Sequence, residues 1–180
     1  MLDVSGGTAT NVTQHDGAIL KTNTNGTTVS GTNSEGAFSI HNKVEDNVLL
    51  ENGGHLEVSH SANMSVLTNA KADATRIDNG GVMDVAGNAT NTIINGGTQN
   101  LNNYGIATGT NINSGTQNIK SGGKADTTII SSGSQQVVEK DGTAIGSNIS
   151  AGGSLIVYTG GIAHGVNQET GSALVANTGA

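Results

Sequence analysis

The stretch TQNIKSGGKADTTIISSG, residues 116–133, decides the fold of this chain. Its plan recurs in TQNLNNYGIATGTNINSG, residues 98–115, and in SLIVYTGGIAHGVNQETG, residues 154–171. A unit of this length cannot enclose a hydrophobic core alone, so it must stack on its copies. The repeat therefore predicts a solenoid.

The last glycine of each unit marks the period: Gly17, Gly36, Gly54, Gly81, Gly97, Gly115, Gly133, Gly153 and Gly171. Most neighbours in this series lie about 18 residues apart. The interval from Gly54 to Gly81 is the exception, and we expect its extra residues to form an irregular insertion at about 59–66. We expect the whole range 1–180 to be a single solenoid cut from a longer protein, because both ends fall in the middle of a unit.

Apolar residues stand two and four places after these glycines, which is the alternation of a β-strand with one inward side. The second place holds Ile19, Phe38, Met83, Gln99, Gln117, Gln135 and Leu155, and the fourth holds Ile40, Val85, Leu101, Ile119, Val137 and Val157, with Lys21 as a break. A further inward line is expected at Ala74/Ile77, Ala89/Ile93, Ala107/Ile112, Ala125/Ile129 and Ala144/Ile149. Eighteen residues at about 3.3 Å each allow two or three short strands per turn. The crossover rule for parallel strands favours a right-handed coil. We predict an all-β, right-handed parallel β-helix.

Gln99, Gln117 and Gln135 fall in a slot that is apolar in other units. If they point inward, each amide must bond the amide above and below it, because an unpaired buried amide costs about 1–3 kcal/mol. The alternative is a twisted strand that leaves them half exposed. The pattern favours the inward amide ladder.

Composition excludes several classes of function. The formal net charge of −7 argues against a nucleic-acid partner, because phosphate binding requires a basic stripe. The chain has no cysteine, so disulfides and thiolate metal sites are excluded.

The segments GTATNVT (7–13), AFSI (37–40) and DNVLLENGGHLEV (46–58), together with the NGG, SGG and SAGG corners, resemble a known family. They are similar to the passenger repeats of the self-associating autotransporter adhesins of Gram-negative bacteria, the AIDA and TibA type. The resemblance implies a passenger domain that is exposed on the cell surface. An outer-membrane barrel, which lies outside these residues, would transport it there. It also implies self-association into aggregates and biofilms, attachment to host cells, and O-glycosylation by an autotransporter heptosyltransferase, without a cofactor of its own.

We expect such a transferase to modify hydroxyls in the turns between strands. One turn supplies Ser5, Ser121 and Thr159, each before a Gly-Gly pair, and the other supplies Ser114, Ser131, Ser132 and Ser150. Serine also favours turns by bonding its own backbone, which is a purely structural explanation for any one of these positions.

Two other functions compete with adhesion. Parallel β-helices can carry polysaccharide-degrading sites, which need clustered acids. The candidates Glu45, Asp46, Glu51, Asp73, Arg76 and Asp78 fit a solvated surface better, and no third ligand accompanies His55 and His60. An ice-binding solenoid would need a flat threonine rank, for which the pairs Thr8/Thr10, Thr90/Thr92 and Thr108/Thr110 have the spacing. We therefore expect an adhesin and neither an enzyme nor a metal protein.

Overall fold

The computed structural model describes residues 1–23, 26–34, 36–41, 44–46, 48–50, 55–58, 71–102 and 104–177. The irregular insertion expected at 59–66 lies outside these residues. Within them the structure has strands and turns and no helix, and no helix is present that could cross a membrane.

The strands in chain order are β1 (Leu2–Val4), β2 (Thr8–Thr13), β3 (Leu20–Asn23), β4 (Thr28–Asn33), β5 (Gly36–His41), β6 (Val44–Asp46), β7 (Leu49–Leu50), β8 (His55–Val58), β9 (Lys71–Asp73), β10 (Arg76–Asp78), β11 (Val82–Val85), β12 (Asn88–Thr90), β13 (Ile93–Leu101), β14 (Ile106–Thr108), β15 (Asn111–Ile119), β16 (Lys124–Asp126), β17 (Ile129–Ile130), β18 (Ser134–Val138), β19 (Thr143–Ile145), β20 (Asn148–Ile149), β21 (Ser154–Val157), β22 (Ile162–His164), β23 (Asn167–Gln168) and β24 (Ala173–Ala176). Nearly all of their pairings are parallel, so the prediction of a parallel β-helix is confirmed.

Each turn of the coil, here called a layer, contributes a strand to each of three faces. The first face stacks β1, β3, β8, β11, the second halves of β13 and β15, β18, β21 and β24. The second face stacks β9, β12, β14, β16, β19 and β22 above the N-terminal strands. The third face stacks β7, β10, the first halves of β13 and β15, β17, β20 and β23.

The core is a narrow apolar column, because each face sends only one or two side chains inward per layer. The second face contributes Ala72, Ala89, Ala107, Ala125 and Ala144, and the third contributes Ile77, Ile94, Ile112, Ile130 and Ile149, all buried. The first face adds Val85, Leu101, Ile119, Val138 and Val157. Small alanines and large isoleucines thus fill the thin interior of these layers.

Layer length shifts from 18 to 19 residues along the rod, and this shift corrects several predicted positions. Ala89, Ala107 and Ala125 pair in register, 18 residues apart, whereas Ala125, Ala144 and Ala163 pair 19 apart. The extra residue sits in the turn before β18, where Gly115 pairs with Ser134.

The predictions that Gln135 and Val137 point inward are therefore wrong. Gln135 is exposed and Val137 half-buried, while Gln136 and Val138 are buried in their place. Similar one- or two-residue offsets place Ala72, Ile94 and Ile130 inward instead of Ala74, Ile93 and Ile129. Lys21 is no break in the pattern, because Leu20 and Thr22 are the inward residues of β3.

The predicted layer around Phe38 and Ile40 is also wrong. These residues are buried, but they belong to β5, which pairs antiparallel with β4 and β6 within the second face. β4 pairs parallel with β2, and β6 pairs parallel with β9. An antiparallel three-strand unit thus interrupts the coil. Gln14 helps to bridge it, because its Nε2 donates to the Leu49 carbonyl of β7 at 2.9 Å.

Candidate functional site

Buried amides form a hydrogen-bonded ladder through the middle of the coil. Gln99, Gln117 and Gln136 are fully buried on successive layers of the first face. Gln117 Nε2 donates to Gln99 Oε1 at 2.8 Å, and Gln136 Nε2 donates to Gln117 Oε1 at 2.7 Å. The sequence pattern predicted the inward positions of Gln99 and Gln117, but the third member of the ladder is Gln136 and not Gln135.

A column of buried hydroxyls accompanies this ladder, and the sequence reading missed it. The hydroxyls of Thr110 and Thr128 donate to Gln99 Oε1 and Gln117 Oε1 at 3.5 and 3.3 Å, and Ser147 Oγ donates to Gln136 Oε1 at 2.6 Å. In return, Gln99 and Gln117 donate to Thr92 and Thr110 at 3.1 and 3.2 Å. The available signal was a Thr or Ser just before the third-face strands β10, β13, β15, β17 and β20. Together the two columns provide hydrogen-bond partners for the buried glutamine amides, which would destabilise the fold if they were unpaired.

Outward side chains form ladders of their own. On the first face, Asn100 Nδ2 donates to Asp84 Oδ1 at 2.8 Å, and Asn118 Nδ2 donates to Asn100 Oδ1 at 2.9 Å. On the third face, Asn95 donates to Asp78 at 3.2 Å and Asn113 donates to Asn95 at 2.9 Å. Parallel in-register stacking places like side chains about 4.8 Å apart, so the surface carries repeating polar columns.

Asp73 and Asp78 are the acidic residues considered for catalysis whose side chains the structure describes, and both have partners. Arg76 holds Asp78 through two contacts, Nε to Oδ1 at 2.9 Å and Nη2 to Oδ2 at 2.7 Å. The hydroxyl of Thr90 donates to Asp73 Oδ1, as does the Asn91 amide, and these bonds lower the pKa of that exposed carboxyl. A carboxyl whose pKa is lowered suits a structural acceptor and not a general acid at neutral pH.

No group of three His, Asp or Glu that could hold a metal ion occurs in the described part of the chain. Glu51 and His60 lie outside that part, and the side chains of Glu45, Asp46 and His55 are likewise not described.

The threonine pairs do not form an ice-binding rank. Thr90 and Thr108 lie on the outer surface, but Thr92 and Thr110 are buried beside the amide ladder. The cause is the positive φ of the residue between them, 54° at Asn91 and 72° at Gly109, which turns the chain at this corner. The same corner recurs at Ala74, Thr127, Gly146 and Gly165.

The hydroxyls expected to accept sugar lie on two corners of the coil. Ser121 and Thr159 share one corner with Lys140, since their Gly122, Asp141 and Gly160 neighbours are linked by backbone hydrogen bonds. Ser5 stands at the equivalent corner near the N-terminus. All three hydroxyl-bearing residues are exposed.

The second corner joins the third face to the first. Ser114 and Ser132 are exposed there, whereas Ser131 and Ser150 are half-buried at the ends of β17 and β20. The structure thus separates five exposed residues from two half-buried ones. It does not gather them into one catalytic or binding centre.

Comparison with known proteins identifies the family. Residues 30–92 and 118–172 match the family described as adhesin of bacterial autotransporter system, probable stalk. A probable autotransporter, YpjA of Escherichia coli strain K12, is 89% identical over 157 residues, which cover 81% of this chain and 10% of that protein. The chain therefore spans about a tenth of that relative's length.

Among solved structures, a crystal structure of a TibC-catalyzed hyper-glycosylated TibA fragment is 24% identical, with a TM-score of 0.42 over 98% of this chain and 92% of that one. The family match covers well over half of the chain. This chain belongs to the stalk family of the bacterial autotransporter adhesins.

Proposed function

We propose that this chain is a stalk segment of a cell-surface adhesin passenger that promotes bacterial self-aggregation, biofilm formation and attachment to host cells. In this proposal a C-terminal outer-membrane barrel, outside the residues of this chain, carries the passenger to the surface. The principal partner is a second copy of the same rod.

The in-register polar columns on the outer surface support this proposal most directly. Within the Asp84, Asn100 and Asn118 column, the Asn100 amide uses one N–H and one lone pair, and the Asn118 amide uses one N–H. An amide has two N–H donors and two acceptor sites, so at least half of its bonding capacity remains for a partner. The column is therefore a repeated, self-complementary set of donors and acceptors.

Weak contacts become effective when the column engages as a whole. An exposed polar or ionic pair contributes about 0–1 kcal/mol, but pairs linked on a rigid rod gain from multivalency. Charge is densest between Lys21 and Asp84, so we place the main contact there. Because salt screens the interactions between charged groups in this contact, aggregation should weaken at high salt.

Settling of cells that display this chain tests the proposal. Cells that display this chain should clump and settle faster than cells whose passenger lacks it. Added salt should slow the settling. The double variant Asn100→Ala/Asn118→Ala should reduce clumping in part, because it removes the polar column that continues from the main contact at Asp84, while the matched second-face variant Thr108→Ala/Thr143→Ala should not. Clumping that is absent, or unchanged between 50 mM and 1 M salt, would count against it.

We also propose that an autotransporter heptosyltransferase modifies the exposed turn hydroxyls Ser5, Ser114, Ser121, Ser132 and Thr159, and less readily Ser131 and Ser150. A transferase must bring a sugar to the oxygen, and the first five positions are exposed. Intact mass after co-expression with the transferase should rise in heptose steps. Peptide mapping should leave Ser134 and Ser147 unmodified, because both are buried. An unchanged mass would end this part of the proposal.

A further inference from the structure

The antiparallel unit near the N-terminus contains a cleft. In β2 the register against β4 shifts between Ala9 and Val12, and Asn11 has a φ of 57° at this bulge. Just beyond it the strands come very close, since a Cβ on Gly31 would lie 1.9 Å from the Val12 carbonyl oxygen. β-Bulges commonly redirect side chains next to functional sites.

The cleft is a hollow of about 470 Å³ at this bulge, between β2 and the β4–β5 hairpin. Its polar lining consists of Asn11, Thr13, Ser30 and Thr32, and its apolar lining includes Val12 and Phe38. Two smaller hollows of about 230 and 290 Å³ adjoin it and share Thr13. The larger volume lies in the range of small-molecule sites.

The groups that line the cleft indicate which class of ligand it can bind. The 470 Å³ hollow is lined by amide, hydroxyl and apolar groups, and none of its lining residues is ionisable. A charged ligand would lose hydration there without gaining a counter-charge. A neutral sugar offers several hydroxyls to the amide and hydroxyl groups and C–H surfaces to the apolar ones.

Gln14 adds an unsatisfied acceptor beside this cleft. Its side chain lines both adjoining hollows, and its Nε2 is occupied by the carbonyls of Leu49 and Ala18. Its buried Oε1 has no hydrogen-bond partner among the residues that the structure describes. Buried acceptors are normally bonded, so a hydroxyl donor that reaches this atom would be favoured.

We propose that the cleft between β2 and the β4–β5 hairpin binds one neutral sugar residue of a glycan. This site is separate from the rod-to-rod columns, so cells could aggregate without it, and sugar could bind without aggregation. The glycan could come from the host surface or from the bacterial matrix, and the ligand chemistry is the same in both cases.

Saturation-transfer NMR on the purified chain tests the site, with mannotriose as a host-type probe, cellotriose as a matrix-type probe, and glucose 6-phosphate as a charged one. We expect transfer to at least one neutral probe and none to the phosphate. The neutral probe that shows transfer identifies the source of the glycan.

The variant Thr13→Val/Thr32→Val removes two hydroxyls at nearly constant shape and should weaken binding about tenfold, since neutral hydrogen bonds contribute modestly. Thr108→Val/Thr143→Val is the matched control, and circular dichroism verifies folding. If the double variant misfolds, Asn11→Gly keeps the bulge conformation and should also weaken binding. No transfer to either neutral probe, stronger transfer to the phosphate, or equal binding by the variants and the control would overturn the proposal.

Discussion

At the scale of single residues, the interior amides are the most exacting feature of this chain. Gln117 accepts from Gln136 and Thr128 and donates to Gln99 and Thr110, and all of these side chains are buried. Gln117→Leu would leave the Gln136 amide and the Thr128 hydroxyl without that acceptor. A buried group without a partner costs about 1–3 kcal/mol, so we expect a loss of that order in the free energy of unfolding.

Gln135→Leu is the matched control for this prediction, because Gln135 neighbours the ladder in sequence but is exposed. Exposed substitutions usually change stability by less than about 0.5 kcal/mol. Urea unfolding followed by far-UV circular dichroism measures both variants. Equal losses would mean that the ladder contributes no more to stability than a surface amide.

Thr127 carries backbone strain that a single change should relieve. Its φ is 56°, a conformation that is unusual for a β-branched residue and costs L-residues about 1–2 kcal/mol. The layers on either side have Gly109 and Gly146 at the same corner. Thr127→Gly should therefore raise the thermal midpoint, with a gain reduced by the entropy that glycine loses on folding.

The reverse substitution, Gly146→Thr, tests the same strain from the other direction. A Cβ at Gly146 would meet its nearest neighbour, the Thr127 nitrogen, at 3.7 Å, so space is adequate and only the backbone conformation opposes it. It should lower the midpoint. Two shifts of the same sign would refute the argument from strain.

At the scale of elements, register decides which residues are inside. In the sequence SQQVV of β18, two adjacent glutamines precede two adjacent valines, so either register offers a glutamine and a valine to the core. Periodicity alone could not choose between them. The choice was made by the turn Ser131–Ser134, which is one residue longer than its predecessor. The fold class was predictable from the repeat, but this register was not.

The two valines provide a direct test of the register. Val138→Asp places a carboxylate in a fully buried position and should destabilise the chain by more than about 4 kcal/mol, because nothing there can pair with it. Val137→Asp lies on the outer side, between Asn118 and Ile156 of the neighbouring strands, and should cost less than about 1 kcal/mol. Urea midpoints decide between them, and a more damaging Val137→Asp would restore the register that the glycine spacing suggests.

The antiparallel unit shows a second limit of sequence reading at this scale. AFSI in β5 alternates like the inward positions of a regular layer, and Phe38 and Ile40 are indeed buried. Alternation reports which side of a strand is covered, but not the direction or the face of that strand. The cleft lined by Asn11 and Thr32 was invisible for the same reason, since it arises from strand direction and a bulge.

At the scale of the whole molecule, stability should vary along the rod. A solenoid is held by contacts between neighbouring layers, so each segment is as stable as its own interfaces. From β13 to β21, successive layers pair in parallel on all three faces and share the amide ladder or its apolar continuation at Leu155. Below β7 the antiparallel unit interrupts this order, and the Gln14 side chain supplies part of the connection.

Native-state hydrogen exchange should reveal this gradient. Amides of Ile112 and Ile119, in the uninterrupted layers, should exchange on the order of a hundredfold more slowly than those of Leu20 and Phe38, because exchange follows the local free energy of opening. Val138→Asp should abolish protection first in the layers of β15, β18 and β21, which adjoin the substitution, and only later near β1. Uniform protection along the chain, or its simultaneous loss in every layer, would show that the rod unfolds as one cooperative unit and that layers do not contribute separately.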